Sequence, residues 1–187
     1  MKSMATSIAR PQASVITKNV LLVVGASLFV ALCAQVSVPL PFTPVPLSLV
    51  NFAVLVVGLT LGSKRGFAAL ALYLAEGAAG LPVFAHAGGF THLIGPTGGY
   101  LVSYPFVAFI AGLVFERGSR SFGRAVVASI GAELLLFLSG VSWLMILFHT
   151  PFATAANIGL YPFFFGEIIK VMAAAGVATR ARAFRQN

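Results

Sequence analysis

Residues 19–37 read NVLLVVGASLFVALCAQVS, a run without a single Asp, Glu, Lys or Arg. At about 1.5 Å of rise per helical residue, such a run covers roughly 28 Å, close to the ~30 Å hydrocarbon core of a bilayer. An 18-residue polar stretch precedes it. The apolar segment of a cleaved signal peptide is only about 7–15 residues, so this one reads as a retained spanning helix. Cys33 follows Val30, Ala31 and Leu32, and Leu32 is too large for a lipoprotein cleavage site. Cys33 therefore reads as a small buried hydrophobe, and as a single cysteine it excludes an internal disulfide.

The same apolar character runs through the chain. Charge-free stretches cover 19–63, 77–115 and 134–166, 59% of residues are hydrophobic, 9% are charged, and the mean hydropathy is +0.98. A soluble domain has no use for that much apolar surface. Pro, Gly and polar clusters cut the stretches into pieces that predict helices near 19–37, 47–62, 66–82, 99–115, 125–147 and 158–178. The expected fold is all-α: a polytopic bundle of six transmembrane helices, with both termini cytoplasmic. Its parts would be a cytoplasmic N-terminal segment (1–18), a six-helix substrate-binding domain (19–178) and a basic cytoplasmic tail (179–187). Six spans nearly use up 187 residues and leave no room for a nucleotide-binding or catalytic domain.

Basic residues set the orientation, because short loops rich in Lys and Arg stay on the cytoplasmic side. Lys2, Arg10 and Lys18 precede the first segment, and Lys64 and Arg65 join the second to the third. Arg117, Arg120 and Arg124 join the fourth to the fifth, and Arg180, Arg182 and Arg185 follow the sixth. Eleven of the 12 basic residues thus fall on one face, while the opposite loops near 38–46, 83–98 and 148–157 carry no charge. The net charge of +8 is explained by topology and attraction to anionic lipid, without a nucleic-acid partner.

Lys170, Glu76, Glu133 and Glu167 lie inside expected helices, where an ionisable group costs about 2.5–3.5 kcal/mol on insertion scales and commonly marks a substrate path. Glu116, beside Arg117, reads as a surface residue. Glu167 and Lys170 are three apart, so they share a helix face and form an ion pair that is either structural neutralisation or part of a site. Glu76 and Glu133 stand alone on their helices, as neutral bonded carboxyls or as ligand contacts.

The uncharged loops carry the remaining signals. Pro39, Pro41, Pro44 and Pro46 stiffen their loop toward an extended form without internal hydrogen bonds. The 80–100 stretch, with GLPVFAHAGGF followed by GPTGGY, combines glycines for sharp turns with Pro96 and Tyr100 for rigidity and a ring. Such a loop suits either capture of a small molecule or a compact surface turn. His86, His92 and His149 have no metal-ligand spacing and no Cys or carboxylate beside them, so no metal is expected. No GxxxxGK[ST] and no GxSxG occurs, which removes P-loop ATP binding and a serine-hydrolase elbow. The aromatics of 161–165 read as an interfacial belt.

Across residues 25–178 these features resemble the BioY family, the biotin-specific substrate-binding components of energy-coupling-factor (ECF) transporters. The resemblance is carried by PLPFTPVP (39–46), Tyr73 to Phe84, GPTGGY (95–100) and GEIIK (166–170). It implies biotin capture at a site near the outer surface of a bacterial cell (inner) membrane. The implied partners are a transmembrane coupling subunit and two ATPase subunits, with ATP used only through them and no cofactor of its own. The implied substrate-binding residues are Glu167, Lys170, Asn51, Tyr73, Phe84 and Tyr100, with Phe84 and Tyr100 as apolar walls. Two departures stand out: Glu167 occupies a position that is usually Asp, and Val50, beside Asn51, one that is often Gln. Glu76 and Glu133 lie outside the family pattern.

Biotin's chemistry agrees with this set. Its ureido ring offers two N–H donors and a carbonyl, and its valerate is an anion, matched by the acceptors of Glu167 and the donors of Lys170. Ser27 and Ala31 form a small-xxx-small pair on the first helix, which suits close packing inside the bundle. In the resembled family an alanine-rich face of this helix docks the coupling subunit, so the resemblance implies docking at these two residues. A stand-alone biotin carrier and an intramembrane enzyme using buried carboxylates are the competing readings.

Overall fold

The computed structural model describes residues 6–85, 87–119 and 121–186, with side chains described from 14 to 181 within those limits. Lys2 and Arg120, two of the topology-setting cations, and His86 lie outside the described residues. The elements run α1 (Thr6–Gln35), β1 (Ser37–Leu40), β2 (Thr43–Ser48), α2 (Val50–Leu61), α3 (Ser63–Ala78), α4 (Phe90–Leu93) and α5 (Gly98–Glu116). They continue as α6 (Phe122–Phe148), α7 (Phe152–Gly159), a 3-10 turn (Tyr161–Phe163) and α8 (Phe164–Gln186). The protein is mostly helical. Helices α1 and α8 run unbroken through positions 18 and 178, so no change of secondary structure marks those boundaries.

Four stretches among the described residues are long and apolar enough to cross a membrane: Ser14–Gln35, Gly98–Glu116, Phe122–Phe148 and Phe152–Ala181. Helix α2, with 12 residues, is only about 18 Å long. It is buried along Ala53–Leu59, so neighbouring helices rather than lipid surround it. The outer surface is apolar instead: Leu32, Leu134, Leu138, Ile146, Phe165 and Ile169 are all exposed, Phe165 by 79%. An apolar exterior around a small-residue interior of Ala53, Ala108, Ala111, Ala128, Ala132 and Ala174 is how helices pack in lipid, where close backbone approach replaces a hydrophobic driving force.

Three sequence expectations are corrected. The proline-rich 38–46 loop is a β-hairpin, not an extended segment free of internal hydrogen bonds, so the fold is not purely α. Its ladder pairs Ser37 with Ser48, Val38 with Leu47 and Leu40 with Thr43. No paired position is a proline, and a two-stranded ribbon leaves each strand a free edge on which a missing N–H does no harm. Secondly, Lys64 and Arg65 sit in the first turn of α3, because α2 and α3 are joined by Gly62 alone, at φ +85°. Thirdly, the expected 158–178 helix is split by the 3-10 turn around Pro162, so α8 begins at Phe164.

Glu116 is exposed, as a surface residue should be, yet it has a structural task. Its carboxylate accepts from Ser63 N at 3.2 Å and Ser63 Oγ at 2.8 Å. It thereby caps the positive N-terminal end of α3 from the last turn of α5.

Candidate functional site

The hairpin, the 81–97 loop, and the ends of α2, α5 and α8 enclose a cavity of about 350 Å³. Each part of the roof is tied down. Thr43 Oγ1 donates to Ile158 O at 2.5 Å and accepts from Val45 N at 3.1 Å, fixing the hairpin to α7. Trp143 Nε1 donates to Gly95 O at 2.8 Å and Ser139 Oγ to Gly99 O at 2.7 Å, so α6 holds the glycine-rich entry to α5. Ala85 (φ +47°), Gly80 and Gly89 take left-handed backbone that turns the 81–97 loop back over α3.

The six expected binding residues, Glu167, Lys170, Asn51, Tyr73, Phe84 and Tyr100, all line this cavity. They come from five places in the chain, and a hydrogen-bonded sequence joins three of them to one residue that sequence reading missed. Tyr104 Oη donates to Asn51 Oδ1 at 3.1 Å, Asn51 Nδ2 donates to Glu167 Oε1 at 3.1 Å, and Lys170 Nζ donates to the same oxygen at 2.7 Å. Glu167 and Lys170 are 5% and 8% exposed, so their charges are held almost entirely out of solvent. The second carboxylate oxygen, Glu167 Oε2, has no hydrogen-bond partner. An acceptor left open beside an ammonium group is suited to a ligand that brings an N–H donor next to a carbonyl.

The aromatic residues act as walls. Tyr73 and Phe84 meet edge to face at 5.3 Å, and Tyr73 Oη donates to Val83 O at 3.0 Å, so this hydroxyl secures the loop. Phe84 packs on Gly77, where any Cβ would collide with its ring. Tyr100 packs in the same way on Gly140, and its hydroxyl donates to Gly159 O at 2.6 Å. Also missed were Pro44, Val45, Phe163 and His92, all lining the cavity. The periodicity of α5 could have found Tyr104, one turn from Tyr100 on the same face. Nothing local marks His92, whose Nδ1 is buried without a partner.

Ser27 is fully buried and Ala31 is 8% exposed, and Ser27 Oγ donates to Glu76 Oε2 at 2.6 Å on α3. The small pair serves close α1–α3 packing and gives Glu76 a partner. Leu21, Leu28 and Leu32 form the exposed side of α1. Among the described residues no group of His, Cys, Asp and Glu could hold a metal ion.

The model of the BioY family matches residues 2–187. A probable biotin transporter BioY from Pyrococcus horikoshii is 40% identical over 158 residues, covering 82% of this chain and 91% of the relative. The biotin transporter BioY of Thermotoga maritima is 37% identical over 163 residues, covering 85% and 94%. Among solved structures, the crystal structure of the S-component for biotin from an ECF-type ABC transporter superimposes with a TM-score of 0.83 at 25% identity. That match covers 91% of this chain and 93% of the other.

Proposed function

The chain belongs to the BioY family, and from that membership we propose that it captures biotin and serves its uptake as the substrate-binding component of an ECF transporter. Family membership makes it part of a membrane transporter rather than an enzyme. The observation that carries the reading is the hydrogen-bonded sequence Tyr104–Asn51–Glu167–Lys170 beneath aromatic walls, with Glu167 Oε2 open. Biotin's ureido N–H groups suit that oxygen, its carbonyl suits Lys170, and its sulfur ring suits Phe84 and Tyr100. A cavity of about 350 Å³ is of the size that small-molecule sites take.

In this reading α1, α2, α3, α5, α6 and α8 are the six crossing helices of a bacterial cell membrane protein. Residues 1–18 and 179–187 flank the 19–178 binding domain on the cytoplasmic side, and the cavity opens outward. A transmembrane coupling subunit and two ATPases energise transport, and the chain needs no cofactor. The test is thermal denaturation of the purified protein in nanodiscs with biotin, lipoate and thiamine. Biotin raises the midpoint and the other two leave it in place; an absence of any biotin-dependent shift in folded protein defeats the assignment.

A further inference from the structure

A second hollow, of about 280 Å³, lies between α6 and α8. Its walls are apolar, with Ile130, Leu134, Phe164 and Ile168 among them, and two acids reach it, Glu133 and Glu167. Glu167 also lines the binding cavity, whereas Glu133 lines the groove alone and Lys170 the cavity alone. Glu167 therefore stands between Glu133 and the ligand space.

Glu133 is 7% exposed, and neither of its carboxyl oxygens has a hydrogen-bond partner. With Glu167 Oε2, that makes three buried acceptor atoms without a partner on two residues that border the same groove. Glu133 and Glu167 border the same groove, and Lys170 bonds Glu167 from the cavity side. Among the described residues, Tyr104 on α5 is the further titratable group near it, and its hydroxyl is already donated to Asn51 Oδ1. Helices α2 and α7 bring no titratable group. Two carboxylates against one ammonium would leave a net negative charge out of water, an arrangement that close buried carboxyl pairs avoid by keeping one proton between them.

We propose that Glu133 is a positioning residue acting through Glu167: a proton held between the two carboxyl groups supplies a donor to one lone pair of Glu167 Oε2, leaves the other lone pair to the ligand, and fixes the Glu167 rotamer that keeps Oε1 on Lys170 and Asn51. The affinity arm of the test rests on the biotin reading; the spectroscopic arm does not. Glu133→Leu keeps bulk and removes the donor, so biotin affinity falls about tenfold, the effect of losing one charge-assisted bond. Glu133→Gln restores an N–H donor and recovers most of that loss. Wild-type affinity declines as pH rises far enough to remove the shared proton, while the Glu133→Gln profile stays flat over the same range. In ligand-free protein, infrared spectra show a protonated-carboxyl C=O band that Glu133→Gln abolishes. The inference is overturned by a folded Leu variant with wild-type affinity and pH profile, by a Gln variant as weak as Leu, or by a carboxyl band indifferent to Glu133. Failure of the biotin reading looks different: the unaltered chain binds no biotin at any pH, and the infrared result still decides the role of Glu133.

Discussion

At residue scale, the cavity depends on two opposite charges held out of water by each other. Lys170 is the one cation among the twelve that topology does not require, so its insertion cost must be offset inside the bundle. Glu167 offsets part of that cost through the 2.7 Å bond, and Asn51 braces the same oxygen. Removing Lys170 strands a buried carboxylate and, on the function proposed, deletes a donor to the ligand. Lys170→Ala should weaken biotin binding by about 1.5–3 kcal/mol, roughly tenfold to hundredfold, in calorimetry on monodisperse protein. Glu167→Gln should be comparably harmful. Unchanged affinity in a well-folded Lys170→Ala protein would reduce the pair to structural neutralisation.

At the scale of elements, the hairpin and α3 each hang on one side chain. Thr43 is the hairpin's anchor to α7, and Thr43→Val keeps its shape while losing two hydrogen bonds, each worth about 0.5–1.5 kcal/mol. Because the hairpin roofs an already formed cavity, the loss should appear in escape rather than entry. Stopped-flow measurement should find biotin dissociation faster by about tenfold and association little altered. Equal changes in both rates would mean that the hairpin does not close the site. Glu116 caps α3 far from the cavity, so Glu116→Ala should lower stability by about 0.5–2 kcal/mol and leave biotin affinity untouched. Thermal melts paired with binding titrations separate the two effects.

For the whole molecule, the segregation of basic residues and the position of the cavity make one joint statement about the membrane. If Arg117 and Arg124 mark the inner face, then the cavity beneath the hairpin and the 81–97 loop opens outward. Single cysteines on a Cys33→Ser background check this: a probe at Ser119 should react only from inside, and one at Ile94 only from outside. Labelling of both from the same side would overturn the orientation. Energised uptake is a further property at this scale. Cells carrying this chain but no ECF ATPases should bind biotin at the surface without accumulating it, and accumulation in such cells would make the chain a stand-alone carrier.

Composition alone determined that the protein lives in a membrane, because free energy of burial in lipid depends on how many apolar residues occur in sequence and not on how they pack. The candidate site was legible for a related reason. Glu167 and Lys170 have no inexpensive explanation inside an apolar run, and their separation of three already puts them on one face. Other partnerships depend on which face of each helix turns inward, and packing decides that. Ser27 meets Glu76 across 49 positions, Ser63 meets Glu116 across 53, and Thr43 meets Ile158 across 115. The same pattern of small residues on α1 fits a docking face and an internal seam equally well, and only the bundle sets Ser27 against Glu76. The prolines of 39–46 forbid a helix but leave extended chain and hairpin open, and a ladder forms only where a second strand is brought alongside. Tyr104 looked like one more aromatic of α5 until the fold set its hydroxyl against Asn51, because a hydrogen bond needs two groups at one point, which a linear sequence does not specify.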